Sequence, residues 1–388
     1  RFQGESWINS ETSAGTNIEL EIRPNSSSNT ALTSDSSNSV TNFTGGVAGV
    51  GSTTGAPSSN TTGTPTVRWA EAFITNKEWG ALHLGFGGTS GYLTNQMDLS
   101  GTFYAGYVNV ADTDGGFAFR QRGNAVHLAG AANAQTGVPA GAGNTFITSP
   151  NGAFGPAVGS VFYYMDGKVR DDRLRYDSPM WNGFQFSTSA IDGGAYDFAL
   201  RYGGNWWGTI VQAGAAVTLA TSLNHAAPNA YAYSGGVPTA ANSIVGQGGT
   251  PPIITGPSAN GSTQYNGSVS ILHPTGLTLT VAGGYQDVIY QDPLHRKINP
   301  DLFYVKAGWK TPIPWFSLGP TAFAVSFAEN DELLYAGDHA KDYGVLFEQE
   351  INPASASLFV SYHHQTLDRD FGTFAPIDLV TAGGIVRF

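Results

Sequence analysis

Ile377-Asp378-Leu379-Val380-Thr381-Ala382-Gly383-Gly384-Ile385-Val386-Arg387-Phe388 ends the chain on a strand pattern. Successive strand residues face opposite ways, so Val380, Ala382, Gly384, Val386 and Phe388 share one face. Thr381, Gly383, Ile385 and Arg387 share the other. From Val380 onward the first of these faces carries no charge and ends in a ring; the second holds an arginine. In a water-soluble sheet a bare apolar face at a terminus invites edge-to-edge aggregation. In a barrel that crosses lipid, the same face meets acyl chains while the other meets water.

Composition points the same way. Of 388 residues only 12% are charged, against about 25% in an ordinary soluble domain. Aromatics make up 12% and glycine contributes 51 residues. No run reaches the roughly 20 apolar residues of a transmembrane helix. A spanning chain of this kind must therefore cross as strands, which pair every backbone group within the wall. The absence of cysteine removes disulfides, thiol catalysis and thiolate metal sites. A net charge of -11 argues against nucleic acid as a partner. No basic, apolar leader stands at the start, so any export signal is expected to have been removed.

The two-residue period recurs along the chain. It predicts strands at 2–8, 15–23, 66–74, 79–86, 169–176, 183–189, 196–202, 208–219, 264–272, 277–290, 302–310, 315–327, 341–351, 357–367 and 377–388. Short and long gaps alternate between them. Asn76-Lys77-Glu78 and Pro274-Thr275-Gly276 are tight, whereas 88–168 is a very long insertion and 25–64 and 222–263 are long and almost free of charge. Tight turns at one end and long loops at the other suit an antiparallel transmembrane β-barrel forming one domain over 1–388. A β-sandwich would not hold that alternation throughout. Fifteen strands are readable, an odd number, whereas single-chain bacterial barrels have even counts. The expectation is sixteen, with one strand upstream of residue 1 pairing with 377–388. The insertion 88–168 then becomes the third external loop.

Several patches give the chain a recognisable likeness. They are Val67-Arg68-Trp69-Ala70-Glu71-Ala72-Phe73, Trp79-Gly80-Ala81-Leu82-His83-Leu84-Gly85, Met97-Asp98-Leu99-Ser100-Gly101-Thr102, Arg170 to Asp177 with Ser178-Pro179 and Gly183-Phe184, Tyr196 to Tyr202, and the terminal Phe388. Together they resemble the trimeric general porins of Gram-negative, especially proteobacterial, bacteria. The resemblance implies a sixteen-stranded outer-membrane barrel, assembled as a homotrimer among lipid and lipopolysaccharide, with the third loop folded inside to narrow the pore. It implies passive diffusion of ions and small hydrophilic solutes without a cofactor or catalytic step. Phe388 matches the family's C-terminal aromatic signal for membrane insertion. The long Ser/Gly/Asn-rich loops depart from the family, so pore size and selectivity do not carry over.

Strand parity indicates which charges face water inside. Arg173 and Arg175 alternate with Leu174 and Tyr176, which turns both inward; Arg201, Lys306, Arg387, Glu348, Glu19, Glu21 and Arg23 follow by the same reasoning. Arg68 and Glu71 have opposite parity, which a bulge between them would reconcile. On the inserted loop the acidic candidates are Asp98, Asp112 and Asp114, with Arg120 and Arg122 nearby. Carboxylates facing arginines across a narrow gap would set up a transverse field favouring small polar solutes. The plainer alternative is that these arginines pair with carboxylates and anchor the loop.

His363-His364 is expected to be one lumen and one interfacial histidine rather than a metal site. Trp79, Trp181, Trp206, Trp207 and Trp315, with Tyr176, Tyr202 and Phe388, mark the membrane interface near the tight turns. The competing readings are a sugar-selective porin, with Phe117, Phe119 and Phe146 as its stacking track, and a structural or adhesive envelope protein.

Overall fold

A computed structural model describes residues 1–21, 66–122, 125–129, 145–149, 154–220, 232–234, 237–239, 262–288, 297–311, 318–333, 335–370 and 372–387. The strands are β1 (Phe2–Trp7), β2 (Thr12–Glu21), β3 (Thr66–Asn76), β4 (Gly80–Gly88), β5 (Ala118–Gln121), β6 (Ala125–Ala129), β7 (Thr145–Ser149), β8 (Phe154–Ala157), β9 (Arg170–Asp177), β10 (Phe184–Ile191) and β11 (Ala195–Trp206). They continue with β12 (Thr209–Ala220), β13 (Ala232–Ser234), β14 (Val237–Thr239), β15 (Ser262–Leu272), β16 (Leu277–Val288), β17 (Asp301–Lys310), β18 (Thr321–Asp331), β19 (His339–Ile351), β20 (Ala356–Arg369), β21 (Gly372–Ala375) and β22 (Ile377–Val386). Two single-turn helices, α1 (Ala111–Asp114) and α2 (Val158–Val161), lie between β4 and β9.

One sheet holds eighteen strands. Three of them, β5, β8 and β21, form a side branch, and fifteen make the wall. Those fifteen run in chain order, each antiparallel to the next, from β1 through β4, then β9 to β12, β15 to β20 and β22. The readable strands are thus all present, and β4 pairs directly with β9 across the inserted segment 89–169. With fifteen alternating directions, β1 and β22 point the same way. Among the described residues no pairing joins them, so the wall is open along that seam.

Polarity is inside-out. Leu174, Phe186, Phe198, Leu200, Phe323, Val325, Val345 and Val360 are exposed on the outer face, while Ser187, Gln264, Ser270, Gln286 and Lys306 are buried on the inner one. Water-soluble sheets bury the apolar face instead. The inner face is not polar throughout. Ala282, Leu302, Tyr304, Ala328, Ala340 and Leu367, toward the long-loop end of β16–β20, form an apolar core with Val108, Val110, Phe119, Val158, Phe162 and Met165 of the inserted segment. The segment covers that part of the wall, so water is excluded there and small apolar residues suit it.

The tight-turn end carries Trp79, Trp181, Trp206 and Trp207, all exposed. Trp315, Arg23 and Phe388 fall outside the described residues, as do the loop 25–64 and nearly all of 222–263. The connection 192–194 departs from the alternation of gap lengths. It lies at the long-loop end and is a tight hairpin in which Gly193 and Gly194 have φ of 77° and 86°, a backbone state that glycine enters without strain.

Candidate functional site: a lumen narrowed by an inserted segment

From Gly88 the chain crosses the concave side of the wall. Gly91 N–H donates to Asp197 Oδ2 on β11 (2.8 Å), Thr94 Oγ1 to Asn266 on β15 (2.6 Å), and Met97 and Leu99 N–H to Ser268 and Ser270 (3.0 and 2.8 Å). Further along, Tyr104 N–H donates to Glu348 on β19 (3.2 Å) and Gln365 on β20 donates to Asp114 (3.1 Å). Small side chains make this close fit possible. A Cβ on Gly214 would lie 2.9 Å from the Thr94 carbonyl oxygen, and one on Gly106 2.9 Å from Leu346.

Each charge picked out by parity, Arg23 excepted, has a definite place among the described residues. Lys306, fully buried, donates to Asp98 Oδ2 (2.6 Å) and to the Gly106 carbonyl (2.7 Å). Arg201 donates to the carbonyls of Ser90 and Tyr92 (2.5 and 2.8 Å). Arg175 pairs with Asp177 (2.9 Å) and reaches the Gly88 and Thr89 carbonyls (both 3.1 Å). Arg173 is buried against Glu71 and donates to the Gly88 and Gly85 carbonyls (3.0 and 2.6 Å). Arg68 sits at a register shift opposite Glu19 and Leu20, the bulge that lets Glu71 also point inward, and pairs with Glu19 (3.0 Å) and Glu21 (2.9 Å). Arg387 is exposed, with its guanidinium 5.3 Å from the Tyr104 ring centre.

The acids of the inserted segment differ from one another. Asp98 is the partner of Lys306; Asp112 is exposed and accepts a hydrogen bond from the Tyr107 hydroxyl. Asp114 is fully buried on α1, and burial pushes its carboxyl up to about 6. Neither Asp112 nor Asp114 is a hydrogen-bond or ion-pair partner of Arg173, Arg175 or Arg201 among the described residues. Those arginines hold the take-off of the segment, and the acids lie further along it. Of the nearby cations, Arg120 is half-buried on β5 and Arg122 is exposed.

Some functional residues were not singled out by sequence. Asp166, fully buried, gathers Leu93 N–H (2.6 Å), Asn95 N–H (3.0 Å) and Gln96 Nε2 (2.7 Å) around one carboxylate. Its only signal was a lone acid after Tyr163-Tyr164-Met165. His83 bridges Glu71 (3.4 Å) and Asp177 (3.5 Å). His363 faces inward on Asp342 (3.1 Å) and His364 outward on Asp378 (2.8 Å). Of the expected aromatic track, Phe119 is fully buried in the core, Phe117 packs against that core, and the side chain of Phe146 lies outside the description. Of the rings between 102 and 108, Tyr104 is exposed and Phe103 and Tyr107 are half-buried. At the outer rim Glu329, Asp331 and His339 come together, with His339 on Asp331 (2.7 Å) and Lys341 on Glu329 (3.3 Å).

The passage lies where inner-face side chains keep some exposure. On β11–β20 Asp197, Thr218, Gln264, Ser270, Lys306 and Ser361 are covered, whereas Glu19, Glu21, Arg68 and His83, and Thr381 and Gly383 of β22, are partly open. The class this defines is an all-β antiparallel transmembrane barrel wall with a segment folded into its lumen. No family model and no curated protein matches the chain. Among solved structures it is similar to OmpT, an outer membrane protein of Vibrio cholerae (9% identity, 98% of this chain and 85% of that one, TM-score 0.48). It is also similar to OmpF of Salmonella typhi (11%, 99% and 88%, 0.47) and to the anion-selective porin from Comamonas acidovorans (10%, 98% and 88%, 0.45).

Proposed function

We propose that the protein is an outer-membrane channel for passive diffusion of ions and small hydrophilic solutes. The observation that carries this reading is the inversion of polarity: an apolar outer face suited to acyl chains and a polar inner face bordering a passage. The segment 89–169 narrows that passage to the sector between its own free face and β1–β4 with β22. Arg173, Arg175, Arg201 and Lys306 act as anchors of the segment, because their donors are engaged by its carbonyls or by neighbouring carboxylates. Arg68 with Glu19 and Glu21, Asp112 and Arg387 are the charges that a passing ion meets. No cofactor, metal or catalytic step is assigned. Assembly as a homotrimer in lipid and lipopolysaccharide belongs to the same reading and follows the resemblance of the sequence patches.

Purified protein added to a planar bilayer is expected to give stepwise increases in current, linear with voltage. Protein that inserts but never conducts would favour the structural or adhesive role instead. Gel mobility before and after boiling tests the trimer.

A further inference from the structure

At the long-loop end of the wall, the ends of β17, β18, β19 and β20 carry a row of ionisable side chains on the outer face. Asp301 stands opposite Asp331, Asp331 opposite His339, and His339 opposite Asp368. Glu329, two residues before Asp331, shares the face of the exposed Phe323 and Val325 and stands opposite Lys341. Like charges directly opposite one another weaken a pair of strands. Asp301 and Asp331 are such a pair, and no cation is within ion-pair distance of Asp301 among the described residues. Lys341 answers one oxygen of Glu329, at 3.3 Å. The row therefore holds an excess of negative charge that a bound cation would cancel.

The donor set decides which cation. Glu329, Asp331 and His339 each present one ligand atom within 4.8 Å of those of the other two. Around a tetrahedral zinc ion, nitrogen and oxygen ligands at about 2.0–2.1 Å stand about 3.3 Å apart. Side-chain rotation closes that difference, because the pairing of β18 with β19 already fixes the three backbone positions. A ring nitrogen among carboxylates suits zinc, nickel or copper, whereas magnesium and calcium take oxygen ligands. His339 is exposed, and an open pocket lined by Gly337, Asp368 and Thr373 lies beside it, which leaves a route for the ion and room for a water ligand.

We propose that Glu329, Asp331 and His339 form a binding site for a divalent transition-metal ion of the zinc class at the outer rim, bridging β18 and β19. The site lies outside the passage, so its test is independent of conductance. The full chain, in detergent micelles free of lipopolysaccharide, is titrated with zinc chloride by calorimetry. Saturable binding of one zinc per chain is expected, and excess magnesium should not displace it. His339→Ala and Glu329→Gln should each weaken zinc binding about 10–100-fold, the scale on which even an outer-shell partner matters. Lys341→Met removes the competitor for Glu329 and should tighten it. His364→Ala, at the neighbouring His364–Asp378 pair (2.8 Å), should leave it unchanged. Gel mobility before boiling shows which variants are folded, and Glu329→Gln with Lys341→Met carry the test if His339→Ala is not. No saturable zinc binding by the parent, unaltered affinity in the folded ligand variants, or displacement by magnesium at equal concentration would overturn the site.

Discussion

Asp166 shows how a single residue sets the packing of the inserted segment. Its carboxyl is enclosed by the segment it organises, and burial pushes it up to about 7 even though Asn95, Leu93 and Gln96 donate to the charged form. In the unfolded chain an aspartate titrates near 3.9. Between about pH 4 and pH 7 the folded state therefore binds the proton more tightly. That stabilisation is complete below the lower value and is lost as pH rises through the upper one. Asp114, raised to about 6 by burial, acts in the same direction. Amides of residues 93–96 are expected to exchange more slowly at pH 5 than at pH 8, after correction for intrinsic rates, and Asp166→Asn should flatten that difference. Equal protection at both values would refute the linkage. None of this was legible in sequence, because Asp166 meets partners some seventy residues earlier and no periodicity connects them. The inward facing of Arg173, Arg175, Arg201 and Lys306 was legible, since parity within one strand requires nothing distant. Their partners were not.

At the scale of elements, the strands were readable because lipid on one side and water on the other enforce a two-residue alternation. The boundaries moved by a few residues, as at Thr321–Asp331 against the expected 315–327, because strand ends depend on pairing with neighbours. The inserted segment was recognisable by its length and by the patch Met97 to Thr102. Its course rests on hydrogen bonds to Ser268, Ser270, Asn266 and Glu348, polar residues that parity alone makes indistinguishable from ordinary wall. Lys306 adds a charged anchor to these. It is buried with Asp98, whose side chain is only 4% exposed, and with the Gly106 carbonyl. Lys306→Met would strand the Asp98 charge, so a loss of about 3–5 kcal/mol is expected in chemical denaturation, with faster proteolysis between residues 98 and 106. Adding Asp98→Leu should recover much of that loss, since the uncompensated buried charge is then gone. If Lys306→Met is as stable as the parent, the ion pair does not hold the segment.

For the whole molecule, the decisive question is what covers the outer face. Val325, Val345 and Tyr362 lie side by side on β18, β19 and β20, exposed at the middle of their strands. If water surrounded them, a charge at Val345 would be tolerated or would improve solubility. If acyl chains surround them, Val345→Arg places a cation near the bilayer midplane at a cost of about 2–4 kcal/mol. The polarity of the wall makes the second outcome the expected one. Reversible urea unfolding in phosphatidylcholine vesicles measures it, with Leu200→Arg on β11 as an independent repeat on another part of the wall. Tyr285, nearer the strand end, supplies the depth control: Tyr285→Arg should cost no more than about 1 kcal/mol. A uniform small effect at all three positions would mean that the apolar outer surface faces something other than lipid, and the channel reading would lose its principal support.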